Sequence, residues 1–468
     1  MVTVDQSQLA GTQAMWSPRV GFNWDVTGER TTQLRGGTGI FTGRLPFVWI
    51  GNVISNPSLN PRIWPGGTDP ETGEELSPDK VVTSGPRPGS GDDSFILQQS
   101  YNGVNAMVPD FKWPQTWTTN IAIDQRLPWD IVGTLEFMYG KDINSIHVQN
   151  MSLAAPTGTL ADGRPYFGER LNGDNIYVLS NSSEGRSYNI TAQLRKQWEA
   201  GLGLGFSYTY LDATNTLKST EIASDLWAAM PTPGDPNLPI AAPSEFGQRH
   251  RFLLTGTYQN RWSDLLRTTF GLVWEVAEGN AFRNGGNRYS FLYSGDVNGD
   301  GSGGNDLLYI PTDRNDVSIV EGEVAGVYRT AEEQWQALDA FIAQDDYLSS
   351  HRGEIAERFG LINPWYTDLS LRVLQDFIFG GGRENVLQVS LDFENVLNMV
   401  SSGWGVRQVA SQAALSPLVY QGATDANGRP LVTVNNEIIT GAVRRTFVDD
   451  ISEYSRWRIQ LGVRYFMD

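Results

Sequence analysis

The chain has 468 residues, with 35 Lys+Arg against 53 Asp+Glu and a formal net charge of −18. That balance argues against a nucleic-acid partner, which needs a basic face. With no cysteine and 3 histidines, disulfide scaffolds, thiolate zinc sites and cysteine nucleophiles are excluded, and a histidine-rich metal centre is not expected. Fifty glycines beside 15 Trp, 17 Tyr and 20 Phe suit a β-rich protein with long polar loops. No apolar run is long enough for a transmembrane helix. The opening MVTVDQSQLAG has neither a basic nor an apolar segment of a signal peptide. As it stands, the sequence implies either a cytoplasmic chain or one whose true N-terminus lies upstream.

Period two dominates the pattern. About 11 alternating segments, each roughly 9–14 residues, approach the length of a tilted membrane-crossing strand. They begin near Arg19, Thr31, Thr118, Asp130, Ser187, Leu202, Gln248, Asp264, Trp365, Asn385 and Ser455. In the sixth, Leu202, Leu204, Phe206, Tyr208 and Tyr210 alternate with Gly203, Gly205, Ser207 and Thr209. In the tenth, Leu387, Val389, Leu391 and Phe393 alternate with polar residues; in the last, Trp457, Ile459, Leu461, Val463 and Tyr465 do so. A one-residue slip would exchange the faces, so Leu204, Phe206, Leu391, Phe393, Ile459 and Leu461 are expected on one outward face.

Tight and long connections alternate. The tight ones are Thr27–Arg30, Leu127–Asp130, Glu199–Gly201, Asn260–Ser263 and Gly380–Arg383. The long ones, roughly 43–114, 143–185, 213–246, 277–363 and 399–453, are rich in Gly, Pro, Asn, Asp and Ser. Short turns at one end and long loops at the other are the pattern of an outer-membrane barrel. The second strand faces carry Arg19, Asp25, Arg35, Asp124, Arg126, Glu136, Arg195, Arg249, Arg251, Arg267, Asp368, Arg372 and Asp376, which a wet lumen accepts and a dry core does not. The expected fold is therefore an all-β, antiparallel transmembrane β-barrel, partial at about 11 strands. Long extracellular loops lie on one side and short periplasmic turns on the other. The competing fold is a soluble β-sandwich. Trp24, Trp129, Trp198, Trp262, Trp274 and Trp457, near strand ends, suit an aromatic girdle.

Six stretches, in order and spacing, resemble a TonB-dependent outer-membrane receptor, in particular the Oar-like group. They are 17–52 (SPRVGFNWDVTGERTTQLRGGTGIFTGRLPFVWIGN), 113–146, 247–258 (GQRHRFLLTGTY), 293–311 (YSGDVNGDGSGGNDLLYIP), 347–377 and 391–398 (LDFENVLN). The resemblance implies that residues 1–468 are the C-terminal portion of the receptor barrel, a fragment of about half the family's 22 strands, without the plug domain and the box that contacts TonB. Tyr465-Phe466 resembles a C-terminal assembly signal, although Met467 and Asp468 follow it. The implied function is TonB-dependent uptake of an unidentified ligand at the bacterial outer membrane. Lipid and an extracellular ligand are then partners, as is TonB through the missing N-terminal region. An adhesin, a passive channel and a secreted carbohydrate-binding β-protein are the alternatives. No enzymatic activity is expected.

The best metal candidate is Asp296-Val297-Asn298-Gly299-Asp300-Gly301, continuing to Asp306. Its oxygen side chains at positions one, three and five and glycine at six resemble a calcium loop, with Asp296, Asn298, Asp300 and Asp306 as ligands for Ca2+. Leu307 stands where such a loop has its bidentate Glu, and the alternative is a solvated turn. Trp335, Leu338, Phe341 and Ile342, preceded by Glu332 and Glu333, predict one or two helices over 330–359. His351, Arg352 and Glu354 read as a surface pairing rather than a catalytic group, and His250 as an interfacial or loop-contact residue.

Overall fold

The computed structural model describes residues 9–55 apart from 12, 67–68, 75–76, 104–168, 175–217, 222–279, 287–379 and 385–467. Eleven strands form one continuous antiparallel wall, each pairing with its sequence neighbours. They are β1 (Arg19–Asp25), β2 (Thr32–Thr42), β3 (Gln115–Arg126), β4 (Val132–Asn150), β5 (Arg186–Gln197), β6 (Leu202–Asn215), β7 (His250–Ser263), β8 (Leu266–Glu278), β9 (Trp365–Phe379), β10 (Asn385–Glu394) and β11 (Arg458–Phe466). The predicted segments and their order are those observed.

Register carries the two faces across the wall. Leu194 lies opposite Phe206, Phe206 opposite Leu254, and Leu254 opposite Trp274. Phe393 lies opposite Ile459 and Leu391 opposite Leu461. The six residues expected outward share this apolar face. Leu204, Phe206, Ile459 and Leu461 are exposed, and Leu391 and Phe393 half-buried. None belongs to a buried cluster, which removes the sandwich, whose sheets would bury such residues against each other.

Four of the expected tight turns are described, and the fifth, 380–383, lies outside the described residues. Between β1 and β2 the carboxylate of Asp25 accepts from Gly28 N (3.0 Å) and Arg30 N (2.9 Å), closing a turn in which Gly28 has φ 74°. The longest strand departs from expectation. β4 reaches Asn150, whereas the loop was expected to begin near 143. Its upper part pairs with Ile176–Ser182, which in turn pairs with Val104–Met107, so the sheet continues into the loops. Much of the 43–114 loop lies outside the described residues.

Most of the buried apolar side chains gather in the loops and at the loop end of β4. One cluster joins Phe291, Leu308 and Ile310 to Leu338, Ile342, Leu418 and Val432. A second joins Leu45, Trp49 and Phe111 to Ile146, Leu226 and Trp227. The predicted helical stretch forms Ala331–Ala343, closed by a Thr330/Glu333 capping box, and Asp346–Ser350. The loops therefore fold into a packed layer with its own core.

Candidate functional site: the polar wall face and the loop layer

The polar face is neutralised strand by strand. Arg35 Nε meets Asp124 at 2.9 Å and Arg35 Nη2 meets Glu136 at 3.2 Å, spanning β2, β3 and β4. Arg251 pairs with Glu275, Arg267 with Asp376 at 2.7 Å, Arg372 with Asp392, and Arg458 with Glu394. Arg407, from the last long loop, reaches down to Asp368 at 3.3 Å. Carboxylates and guanidinium groups on neighbouring strands satisfy one another, while the remaining polar groups suit water.

Above the wall, Asp296, Asn298, Asp300 and Asp306 lie in one loop, as expected. Asn298, Asp300 and Asp306 are fully buried. Asp306 Oδ2 accepts from Val297 N (2.7 Å) and Asn298 N (3.2 Å), and Asp300 Oδ1 accepts from Ser302 N (2.7 Å). Gly301 N donates to Asp296 Oδ2 at 2.7 Å. Arg164 Nη1 donates to Asp306 Oδ1 at 3.3 Å. Among the described residues, no three His, Cys, Asp or Glu side chains are gathered as a metal shell. As arranged, the oxygens of this loop take backbone N–H donors, the side-chain amides of Asn298 and Asn305, and a guanidinium. Burial pushes the Asp300 carboxyl up to about 6 and that of Asp306 up to about 7, the latter opposed by Arg164.

Sequence reasoning missed Arg164. Its side chain is fully buried, and it meets Asp162 Oδ2 at 2.7 Å, the Leu307 carbonyl at 2.7 Å and the face of Tyr293. The turn Asp162-Gly163-Arg164 was its only local signal, since Asp306 is 142 positions away. Arg358 was missed too. It donates to the carbonyls of Asn215 and Ile240 (2.5 and 2.7 Å), and burial lowers its pKa to about 10.

His351 Nδ1 lies 2.8 Å from the Tyr347 carbonyl and its ring stacks on Tyr347, while Arg352 pairs with Asp339 at 2.6 Å. His351 and Arg352 are thus held by contacts within the loop layer. His250 stacks between Tyr208 and Trp365 on the apolar face, near the loop end. Trp24, Trp129 and Trp262 are exposed near the turn end; Trp117, Trp274, Trp365 and Trp457 are exposed towards the loop end. Two rows of indoles bound an apolar band, the arrangement of an interfacial girdle.

Residues 3–416 match the family model described as "Outer membrane beta barrel domain". No curated protein matches the chain. Similar solved structures include the outer-membrane transporter YddB of Escherichia coli, at 10% identity and TM-score 0.39, covering 96% of this chain and 40% of that one. A mutant of the ferric enterobactin receptor PfeA of Pseudomonas aeruginosa is similar at 8% identity and TM-score 0.37, covering 97% and 40%. The FrpB iron transporter of Neisseria meningitidis is similar at 10% and 0.30, covering 81% and 38%. The chain thus spans about two-fifths of the length of these transporters.

Proposed function

The chain belongs to the outer-membrane β-barrel domain family and is an outer-membrane protein, and we propose that it forms the C-terminal wall and loop layer of a TonB-dependent receptor of the Oar-like group, taking up a ligand not yet identified. One observation carries this reading: the long loops pack around shared buried clusters at one end of an apolar-banded wall. An ordered layer offers a preformed surface to an external ligand, and the charge-paired face below it suits a wet passage. Contact with TonB is assigned to the N-terminal region that the resemblance places ahead of this stretch.

The test is accumulation of labelled ferric chelates, cobalamin, oligosaccharides and peptides by cells with and without the full gene, and with and without TonB. Accumulation of one class that requires both supports the proposal. Accumulation that ignores TonB favours a passive channel, and cell attachment without accumulation favours an adhesin.

Calcium at Asp296, Asn298, Asp300 and Asp306 is a second part of the proposal. Its support is donor chemistry: three carboxylates, with Asn305 Oδ1 fully buried and accepting no hydrogen bond. A hard cation would stabilise the ionised form of the Asp300 and Asp306 carboxyls, which burial disfavours. The loop's present hydrogen bonds would have to rearrange to admit it.

A further inference from the structure

A cleft of about 760 Å³ opens where the loop layer overhangs the top of β8 and β9. Its floor is Glu278 and Trp365, directly opposite one another in the ladder. Both continue the apolar face: Glu278 follows Trp274 and Val276 at period two, and Trp365 precedes Leu369 and Leu371. The cleft is therefore on the outer flank of the wall, at the level of the loop-end indoles, and not on the charge-paired face.

Its roof comes from two loops tied together. Asp345 Oδ1 accepts from Leu348 N at 2.9 Å, its Oδ2 accepts from Thr446 Oγ1 at 2.5 Å, and Gln344 Nε2 donates to Thr446 Oγ1 at 3.1 Å. The neighbouring Phe447 is held in a short ladder with Ala410. These ties fix the roof before any ligand arrives, which lowers the cost of binding.

The chemistry of the lining is specific. Trp365 is 48% exposed, although His250 and Phe252 stack against it. Phe447 adds a second, half-buried ring. Asp346 is an exposed carboxylate, and Glu278 Oε2, buried, accepts no hydrogen bond, with His250 Nε2 at 3.9 Å beside it. Asp345, Asp346 and Glu278 face one cation of the lining, Arg445. Flat rings with carboxylate and amide acceptors match the alternating C–H faces and hydroxyl edges of a sugar ring. The excess of carboxylates repels phosphate and carboxylate groups.

We propose that this flank cleft binds a saccharide, neutral or amino-substituted, seated on Trp365 with its hydroxyl or amino groups donating to Glu278 and Asp346. The sugar is either a free oligosaccharide or the sugar headgroup of an outer-leaflet glycolipid. The assignment does not depend on TonB-driven transport, so its failure leaves the uptake proposal standing.

The experiment uses the detergent-solubilised protein, with tryptophan fluorescence and calorimetry as readouts. Probes are maltotriose, chitotriose, glucosamine trisaccharide, a phosphorylated hexose, and vesicles with and without a neutral glycolipid. Saturable binding of a neutral or amino sugar is expected. Trp365→Ala should weaken it by about tenfold, the scale of an aromatic stacking contact. Asp346→Asn, on the exposed loop, should weaken the amino sugar more than the neutral one. Heat-modifiable migration checks that each variant folds. Binding confined to glycolipid vesicles identifies the lipid source, and binding of the free trisaccharides the soluble one. No saturable binding of any sugar, equal binding by folded variants, or preference for the phosphorylated hexose would overturn the proposal.

Discussion

Arg164→Met tests the electrostatic centre of the loop layer. The substitution keeps an unbranched chain of similar reach, so the change is chiefly in charge and hydrogen bonding. Arg164 is fully buried and serves Asp162 (2.7 Å), Asp306 (3.3 Å) and the Leu307 carbonyl (2.7 Å) at once. Removing it leaves two carboxylates and a carbonyl short of donors. Breaking a buried ion pair from one side costs about 3–5 kcal/mol. The loss should depend on pH. The Asp306 carboxyl sits at about 7 in the folded chain against 3.8 in the reference state. The native state therefore binds more protons than the unfolded state, and stability falls as pH rises from about 4 through about 7. At about 1.36 kcal/mol per unit, that shift already costs the native protein on the order of 4 kcal/mol at pH 8. Arg164 lowers this pKa more than the Asn298 and Val297 N–H donors do, so its loss raises the carboxyl further and enlarges the deficit at high pH. The assay is proteinase K cleavage of the loop layer in detergent at pH 5 and pH 8, with heat-modifiable migration reporting the wall separately. Cleavage of the variant should be faster than wild type, and the gap wider at pH 8. A loss below about 1 kcal/mol, or one equal at both pH values, would refute the account, because a buried pair broken on one side cannot be that cheap.

On the lipid face, Leu461→Lys should destabilise insertion by about 2–4 kcal/mol if the residue lies near the bilayer midplane; urea titration of the protein refolded into vesicles measures it, and a neutral result would contradict an outward Leu461. Thr330→Ala removes the capping box of Ala331–Ala343 and should cost about 1 kcal/mol, read as faster proteolysis near 330 with the wall unchanged. Calcium, compared with chelator, should slow proteolysis of the 287–363 segment; equal rates would remove calcium from the proposal.

The wall was legible because period two is a local signal. Each of Leu204, Phe206, Ile459 and Leu461 sits two positions from its like, so strand, face and neighbour order follow from sequence alone. The helix after Thr330 was legible for the same reason, at a period of 3.6. The loop layer was not. Its core joins Leu160, Phe291, Leu338, Leu418 and Val432, from residue 160 to residue 432, and no periodicity marks such partners. The acidic loop shows the limit most sharply. Its spacing foretold that Asp296, Asn298, Asp300 and Asp306 would share a turn. It did not foretell that Arg164, 142 positions from Asp306, would enter it.

The ends of the wall carry the last consequence. Among the described residues, no ladder joins β1 to β11, and each has a neighbour on one side. Val20, 73% exposed, and Val463, 65% exposed, face outward on these two strands. In lipid an open edge leaves backbone N–H and C=O groups unsatisfied, at several kcal/mol each, so each edge strand must acquire a partner. The two cannot serve each other in the pattern used elsewhere. Eleven strands alternate in direction, so β1 and β11 run the same way, and joining them would need a parallel ladder in an otherwise antiparallel wall. We expect each edge to pair with a further strand, not with the other. The chain has no cysteine, which makes the test clean. Val20→Cys combined with Val463→Cys, oxidised in outer-membrane preparations, should give no intramolecular disulfide, since that bond needs Cα atoms within about 7 Å. An intramolecular cross-link in high yield, with each single variant unlinked, would show that the 11-strand wall closes on itself and would end the partial-barrel reading.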